Sequence, residues 1–280
     1  MTYRMLCERL ARAGIESAEW DAQLLLERFC NADALHTVLD PSFEFDVPDA
    51  LEAAIVQRES RYPLQYILGE WQFYRQTYEV TPDCLIPRSD TEILVEEAIR
   101  RLPQNAHFAD LCTGSGCIAI SVLAERPDTT AIAVDKFENT LQMAIRNAKK
   151  NGVSNRMTAR CADVLDKDFL SGQEGALDAI LSNPPYIPTL VVDSLEAELH
   201  AEPRVALDGG DDGLIFYRAM VEHASAYLKP GGFFLFEIGY DQAEALKAIG
   251  AEYGFWGYEM LRDYGGNDRV VCLWRERDIH

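Results

Sequence analysis

Hydrophobic positions in the first quarter of the chain recur with a helical period, interrupted by short polar breaks. Leu6, Leu10 and Ala11 share one face before Gly14, and Trp20, Leu24, Leu25 and Phe29 repeat at helical spacing. Asp49-x-x-Glu52 predicts a capping box opening an Ala/Ile-rich helix that Pro63 must end. Together these segments predict a small bundle of about four or five helices, with its aromatic rings in the core. The pattern then changes. Residues 66–74, followed by Tyr78, Glu79 and Val80, read as a β-hairpin or extended linker. Ser89-x-x-Glu92 predicts a second capping box ahead of Ile93, Leu94, Ala98 and Ile99. From about residue 105, apolar runs at 107–111, 130–134, 157–161, 179–181 and 232–238 predict strands. Helical patterns separate the first three, for example 140–150, closed by Asn151-Gly152. This alternation predicts an α/β fold with an open parallel sheet and helices on both faces. The expected domains are 1–75 (helical), 76–90 (hairpin or linker) and 91–280 (α/β).

Composition narrows the function classes. The chain has 280 residues, of which 48% are hydrophobic, enough for a sizeable core and against wholesale disorder. Lys plus Arg number 26 against 46 Asp plus Glu, a net charge of −20. A protein that holds nucleic acid by neutralising phosphates carries a basic stripe. Here the nearest candidates are Arg100-Arg101 and Lys149-Lys150, both on expected helix surfaces. Seven cysteines, an odd count without a Cys-x-x-Cys pair, indicate neither a disulfide framework nor a zinc site. They read as small buried hydrophobes in a reducing cytosol. Five scattered histidines form no ligand pair, so no metal is expected. Met1-Thr2-Tyr3-Arg4 opens no signal-peptide core, and no apolar stretch approaches the roughly 18 residues of a membrane span. A cytoplasmic protein is expected.

The chemistry concentrates at strand ends. Asn183-Pro184-Pro185-Tyr186 follows the apolar run Ala179-Ile180-Leu181. Two prolines fix two φ angles and remove two N–H donors, and Pro184 pushes Asn183 out of the helical region. The result is a rigid corner suited to a planar NH2 group: the Asn183 side-chain oxygen accepts one N–H, the Pro184 carbonyl the other, and Tyr186 covers the flat face. Asp110-Leu111-Cys112-Thr113-Gly114-Ser115-Gly116 ends the first strand of the α/β part, where glycines let backbone approach a ligand and turn into a helix. Asp135 ends the next strand, placed to grip ribose hydroxyls. Gly114-x-Gly116-x-x-Ala119 also satisfies the dinucleotide fingerprint, so a nicotinamide-dependent oxidoreductase has to be weighed. Three features favour a different nucleoside ligand. Asp110 would repel a pyrophosphate but suits the ammonium of a methionine moiety. Asp163-Val164 follows the third strand, where a carboxylate can accept from an adenine amino group. The Asn-Pro-Pro-Tyr corner ends the fourth strand.

At these residues the chain resembles class I S-adenosylmethionine-dependent methyltransferases, and Asn-Pro-Pro-Tyr resembles the signature of those acting on amino groups of adenine, guanine or a protein glutamine. Further segments resemble the HemK/PrmC family of release factor glutamine N5-methyltransferases. They are Tyr66-Ile67-Leu68-Gly69-Glu70 with Phe73-Tyr74, Ile86-Pro87-Arg88 with Thr91-Glu92, Glu202-Pro203-Arg204 with 206–214, and Glu237-Ile238-Gly239 with Gln242. The resemblance implies a Rossmann-like class I sheet preceded by a small helical bundle and a hairpin linker. It implies S-adenosylmethionine held by Asp110, Cys112, Thr113, Gly114, Ser115, Gly116, Asp135, Asp163, Val164 and Asn183. It also implies a substrate pocket of Asn183, Pro184, Pro185 and Tyr186, with Asn183, Pro184 and Tyr186 in the catalytic role. The implied substrate is the Gly-Gly-Gln glutamine of class I peptide chain release factors, docked with help from the helical domain, with no direct nucleic-acid or membrane partner. The alternative is a nucleic-acid exocyclic-amine methyltransferase acting on adenine N6 or guanine N2. A non-catalytic adapter is the remaining rival. Cys112 stands where the family usually has glycine, and Ser89-Asp90 where Pro-Glu is usual, with Ser89 expected to keep a capping role.

Overall fold

The computed structural model describes residues 1–32, 40, 42, 44–196 and 198–275. The chain divides into two compact units, Met1–Glu70 with Glu196–Ala201, and Trp71–Leu195 with Glu202–His280. No helix among the described residues is long and apolar enough to cross a membrane.

The first unit holds helices α1 (Tyr3–Arg12), α2 (Ala18–Cys30), α3 (Asp49–Glu59) and α4 (Leu64–Leu68). Thr2 caps α1 by accepting from the Met5 N–H at 3.2 Å. Leu6, Leu10, Ala22, Leu25, Leu26, Leu51 and Ile55 form its buried interior. Trp20 is 57% exposed, so the apolar face of α2 runs through Ala18, Ala22 and Leu25 rather than through the ring. The expected capping box at Asp49 does not form. Pro48 occupies the cap position, no side chain caps the helix, and Glu52 turns instead to the Arg9 guanidinium. At the centre of the unit Asp21 on α2 meets Arg58 on α3, with Arg58 Nε 2.6 Å from Asp21 Oδ2 and the two side chains 3% and 5% exposed. The Ser17 hydroxyl donates to the other Asp21 oxygen, and Arg58 also reaches the Tyr62 carbonyl and Glu198.

The second unit begins with the expected hairpin, β1 (Glu70–Phe73) and β2 (Gln76–Glu79); residues 64–68, partly assigned to it from sequence, are the helix α4. Tyr74 takes a left-handed conformation at its turn. The Asn147 amide fastens β2 to the following structure, accepting from Glu79 N–H and donating to the Glu79 and Ser115 carbonyls. Seven strands form one sheet: β3 (His107–Leu111), β4 (Thr130–Asp135), β5 (Met157–Cys161), β6 (Leu177–Ser182), β7 (Leu228–Glu237), β8 (Gly257–Arg262) and β9 (Asp268–Trp274). Their spatial order is β5-β4-β3-β6-β7-β9-β8. The first five run parallel, and β9 lies antiparallel to both β7 and β8. The sheet is therefore mixed, not wholly parallel, because β8 and β9 are joined by a tight turn at Asp263–Asn267 instead of a crossover helix.

Both faces are covered. Helices α5 (Glu92–Arg101), α6 (Cys117–Glu125) and α7 (Glu138–Lys150) contribute to one apolar cluster. The helices α9 (Ile215–Ala224) and α10 (Ala243–Glu252) contribute to the other, after a single-turn α8 (Thr189–Val192). The second expected capping box is also absent: Ser89–Thr91 is a 3₁₀ turn, and the Glu92 carboxylate accepts from the Tyr74 N–H at 2.8 Å. The chain leaves β3 toward β4 and β5 on one side and returns to β6 and β7 on the other. That reversal opens a crevice at the carboxyl ends of β3 and β6, the place where open α/β sheets take ligands.

Replacing Asp21 by Ala removes the buried partner of Arg58 and leaves it the Tyr62 carbonyl and the part-exposed Glu198. We expect a loss of about 1.5–3 kcal/mol in unfolding free energy, read by urea denaturation; a loss within experimental error of wild type would refute the structural weight given to this pair.

Candidate active site

The crevice is a cavity of about 340 Å³ at the carboxyl ends of β3, β4, β5 and β6. After β3 the chain makes a tight loop in which Cys112, Gly114 and Gly116 all take positive φ, at 55°, 56° and 82°. A Cβ on Gly116 would lie 2.8 Å from Ile120 Cδ1 and 3.2 Å from Ala144 Cβ, so only glycine lets α6 start this close to α7. Cys112 adopts the same left-handed conformation with a side chain, which costs about 1–2 kcal/mol relative to glycine.

Two carboxylates hold the loop from different sides. Asp135, at the end of β4, accepts from the Gly114 N–H with one oxygen and the Phe137 N–H with the other, both at 3.0 Å. Burial raises its pKa against these backbone donors. Each oxygen keeps a further lone pair, and the residue lines the cavity. Asp110 is completely buried beneath the loop. Its Oδ2 accepts from the Thr113 hydroxyl at 2.6 Å and the Ala119 N–H at 3.1 Å, while Oδ1 has no partner; neither has the buried Ser115 hydroxyl. Burial pushes the Asp110 carboxyl up to about 7. Asp163, after β5, pairs with Lys136 at 2.8 Å and accepts from the Leu165 N–H. Burial works to raise its pKa, but these two partners outweigh it and hold it low.

The Asn183–Tyr186 corner ends β6. Both prolines are buried, and the Asn183 amide nitrogen donates to the Thr91 hydroxyl at 3.1 Å. Asn183 is part of the cavity lining. The segment 207–213 closes over the back of the corner. The Ile187 N–H donates to the Leu207 carbonyl and the Gly209 N–H to the Ile187 carbonyl, at 2.9 and 2.8 Å. A Cβ on Gly209 would stand 2.8 Å from the Pro185 oxygen, and one on Gly213 would overlap the Tyr186 carbonyl. Gln242 completes the clasp, donating to the Tyr186 and Gly213 carbonyls.

Of the residues singled out from sequence, Cys112, Thr113, Gly114, Ser115, Asp135, Asp163, Val164, Asn183 and Pro185 line the cavity. Asp110, Gly116, Pro184 and Tyr186 do not line it but shape the loops that do. Sequence reasoning did not single out Cys84, Phe137, Thr140 or Phe216, which line it too. Phe137 carried a signal, two residues beyond the strand-end Asp135; Cys84 and Phe216 arrive from distant segments and carried none.

A mixed sheet of order 3-2-1-4-5-7-6, counted along the second unit, with a cavity at its carboxyl edge defines a class I methyltransferase. Residues 3–69 match the PrmC N-terminal domain and residues 89–210 the methyltransferase small domain. A relative from Geobacter sulfurreducens named release factor glutamine methyltransferase is 39% identical over 94% of this chain and 91% of its own length. One of the same name from Moorella thermoacetica is 38% identical over 96% of each. The solved protein-(glutamine-N5) methyltransferase (release factor-specific) from Alicyclobacillus acidocaldarius aligns with TM-score 0.41 and 33% identity over 71% of this chain and 99% of its own. On the strength of the sequence relatives, the chain belongs to the release factor glutamine methyltransferase family.

Gly213→Ala should push the corner out of register. We expect turnover to fall by about 100-fold, the scale of an ångström-sized misplacement, while a circular dichroism spectrum stays native; unchanged turnover would mean the clasp does not set the corner. Asp110 supplies a pH test. Its folded pKa is raised to about 7 from the ordinary 3.8, so its stabilising contribution is complete below pH 4 and is lost as pH rises through 7. Asp110→Asn abolishes that titration. The variant's unfolding free energy should decline less than wild type's between pH 5 and 8, and parallel curves would contradict the buried neutral carboxyl.

Proposed function

We propose that this protein transfers a methyl group from S-adenosylmethionine to the side-chain amide nitrogen of the Gly-Gly-Gln glutamine in class I peptide chain release factors. The observation that supports the reading is the Asn183 amide, anchored through its NH2 to Thr91 in a residue that lines the cavity, an arrangement that would leave its oxygen for a substrate. The residues present fit the cofactor. Two buried polar atoms beneath the loop, Asp110 Oδ1 and Ser115 Oγ, lack partners, and the loop backbone is open to close approach. Asp135 would take the ribose hydroxyls, Asp163 and Val164 the adenine, and loop 112–116 with Asp110 behind it the methionine moiety. When bound, S-adenosylmethionine supplies a methyl group activated by its attachment to a sulfonium.

The task left to the protein is orientation. An amide nitrogen is a poor nucleophile because its lone pair is delocalised into the carbonyl. The Asn183 oxygen would accept one N–H of the substrate amide, and the Pro184 carbonyl, outside the cavity lining, would accept the other from a substrate that reaches past that lining; the pair favours a pyramidal nitrogen with its lone pair directed at the incoming carbon. Such positioning is worth several kcal/mol, up to about 7–11 in favourable intramolecular cases. Acceptors placed where positive charge develops add transition-state stabilisation. The proton that the alkylated nitrogen must shed would pass to water, with these oxygens only hydrogen-bonding the N–H groups. Tyr186 would shield the flat face of the amide. The helical domain, 1–75, would help dock the release factor, with 76–90 as the linker to the catalytic domain 91–280.

The test is methyl transfer from labelled S-adenosylmethionine to purified release factor, to its Gln→Ala Gly-Gly-Gln variant, and to total RNA. Label confined to the wild-type release factor is the expected result; label on RNA would replace this reading with an exocyclic-amine methyltransferase. In the same assay Asn183→Ala should lower kcat by about 100-fold or more with little change in cofactor affinity by calorimetry. Equal losses in both would remove Asn183 from the catalytic role.

A further inference from the structure

Glu237 has no part in the reading above. It is the last residue of β7, 1% exposed, and carboxylates are almost never buried so deeply without a partner. Its Oε1 accepts from the Tyr186 hydroxyl over a long 3.4 Å, and its Oε2 has no hydrogen-bond partner. The Thr91 hydroxyl sits against the same carboxyl. Thr91 is also the group that receives the Asn183 amide N–H.

A hydroxyl carries one proton. Since the Thr91 oxygen accepts from Asn183, its own proton is left to turn toward Glu237. An ionised carboxylate only accepts, so the adjacent Glu237 would draw the Thr91 proton and set one direction for the chain: Asn183 NH2 to Thr91 oxygen, Thr91 proton toward Glu237. The two ends of an asparagine amide have nearly the same shape, and only their partners decide which faces outward. An amide turned the other way would set its NH2 against the NH2 of a substrate amide.

We propose that Glu237, acting through Thr91, is a positioning residue that holds the Asn183 oxygen toward the cavity. The proposal rests on the reading of Asn183 as an acceptor for the substrate amide. Five further groups face this carboxyl: Arg269 from β9, Asp90 from the 3₁₀ turn, Tyr186 from the corner, Cys117 from α6, and Tyr217 from α9, whose hydroxyl donates to the Glu237 main-chain carbonyl at 2.7 Å. Burial pushes the carboxyl up to about 7, with Thr91, Arg269 and Tyr186 opposing and Asp90 adding to the rise. Protonated, Glu237 can donate to Thr91 and reverse the chain, turning the Asn183 NH2 outward. Activity should therefore fall as pH drops through 7. Asp110 titrates in the same range, so the diagnostic is the difference between wild type and Glu237→Gln, which cannot titrate.

The experiment measures kcat, KM for release factor and cofactor affinity from pH 6 to 9 for Thr91→Val, Thr91→Ser, Glu237→Gln and the Thr91→Val/Glu237→Gln double variant. Exchange of the Asn183 side-chain amide protons is followed alongside by NMR. Thr91→Val should lower kcat by about 10- to 100-fold with KM and cofactor affinity unmoved. Thr91→Ser should recover most of that loss. Glu237→Gln should flatten the acid limb, and the double variant should be no worse than Thr91→Val alone, because the two act in series. The Asn183 amide protons should be protected in wild type and exposed in Thr91→Val. Wild-type kcat in Thr91→Val, or losses that multiply in the double variant, would overturn the proposal. A wild-type enzyme that methylates no release factor would sink the substrate reading instead, and unaltered amide exchange in Thr91→Val would sink the positioning role independently of any substrate.

Discussion

A strand that ends in two prolines cannot extend its own hydrogen bonding, and the architecture around the cavity follows from how that corner is caught. Pro184 and Pro185 supply no N–H, so every fastening comes from elsewhere. Thr91 takes the Asn183 amide, Gln242 takes the Tyr186 carbonyl, and the 207–213 segment pairs with Ile187. Gly209 and Gly213 let that segment press against backbone where any Cβ would collide. The rigidity of the corner is thus a property of three distant segments closing on it.

The same logic separates what the sequence reveals from what it conceals. Four of the five parallel strands are legible because they are mainly apolar runs largely buried on both faces, whereas β5, at the sheet edge, is only partly buried. Their polar ends are legible because chemistry in such a sheet gathers at the carboxyl edge. Strands β8 and β9 are less so: Gly257–Arg262 is largely half-exposed, and its pairing with Asp268–Trp274 depends on a local turn. Both expected capping boxes fail because the expected residue is not at the N-cap: Pro48 precedes α3 and Thr91 precedes α5, and the glutamates go to Arg9 and the Tyr74 N–H. Trp20 fails in the opposite sense, since helical spacing marks a stripe but cannot say which of its members the neighbouring helices cover.

Within the site, local contacts were readable and long-range ones were not. The glycines of the loop, Asp135 and the Asn-Pro-Pro-Tyr corner announce themselves by position relative to a strand. The bond from Asn183 to Thr91 spans 92 residues of sequence and that from Tyr186 to Glu237 spans 51, and no spacing rule connects such pairs. Asp110 is an intermediate case. Its place before the glycines marked it as important, yet the structure puts its carboxyl beneath the loop, holding Thr113 and the start of α6.

Cys112 brings these constraints together. It follows β3 directly, at a left-handed conformation that an L-residue adopts with strain. The neighbouring Gly114 needs the same region, and Asp135 fixes Gly114 by its N–H, so the loop path is set from both sides of Cys112. A residue there must accept the geometry or displace Asp135. A thiol is small enough to accept it. Burial keeps that thiol protonated by pushing its pKa far up, with the Asp135, Asp110 and Asp163 charges adding to the rise. A neutral side chain among three carboxyl groups adds no charge repulsion to the backbone strain of its left-handed conformation.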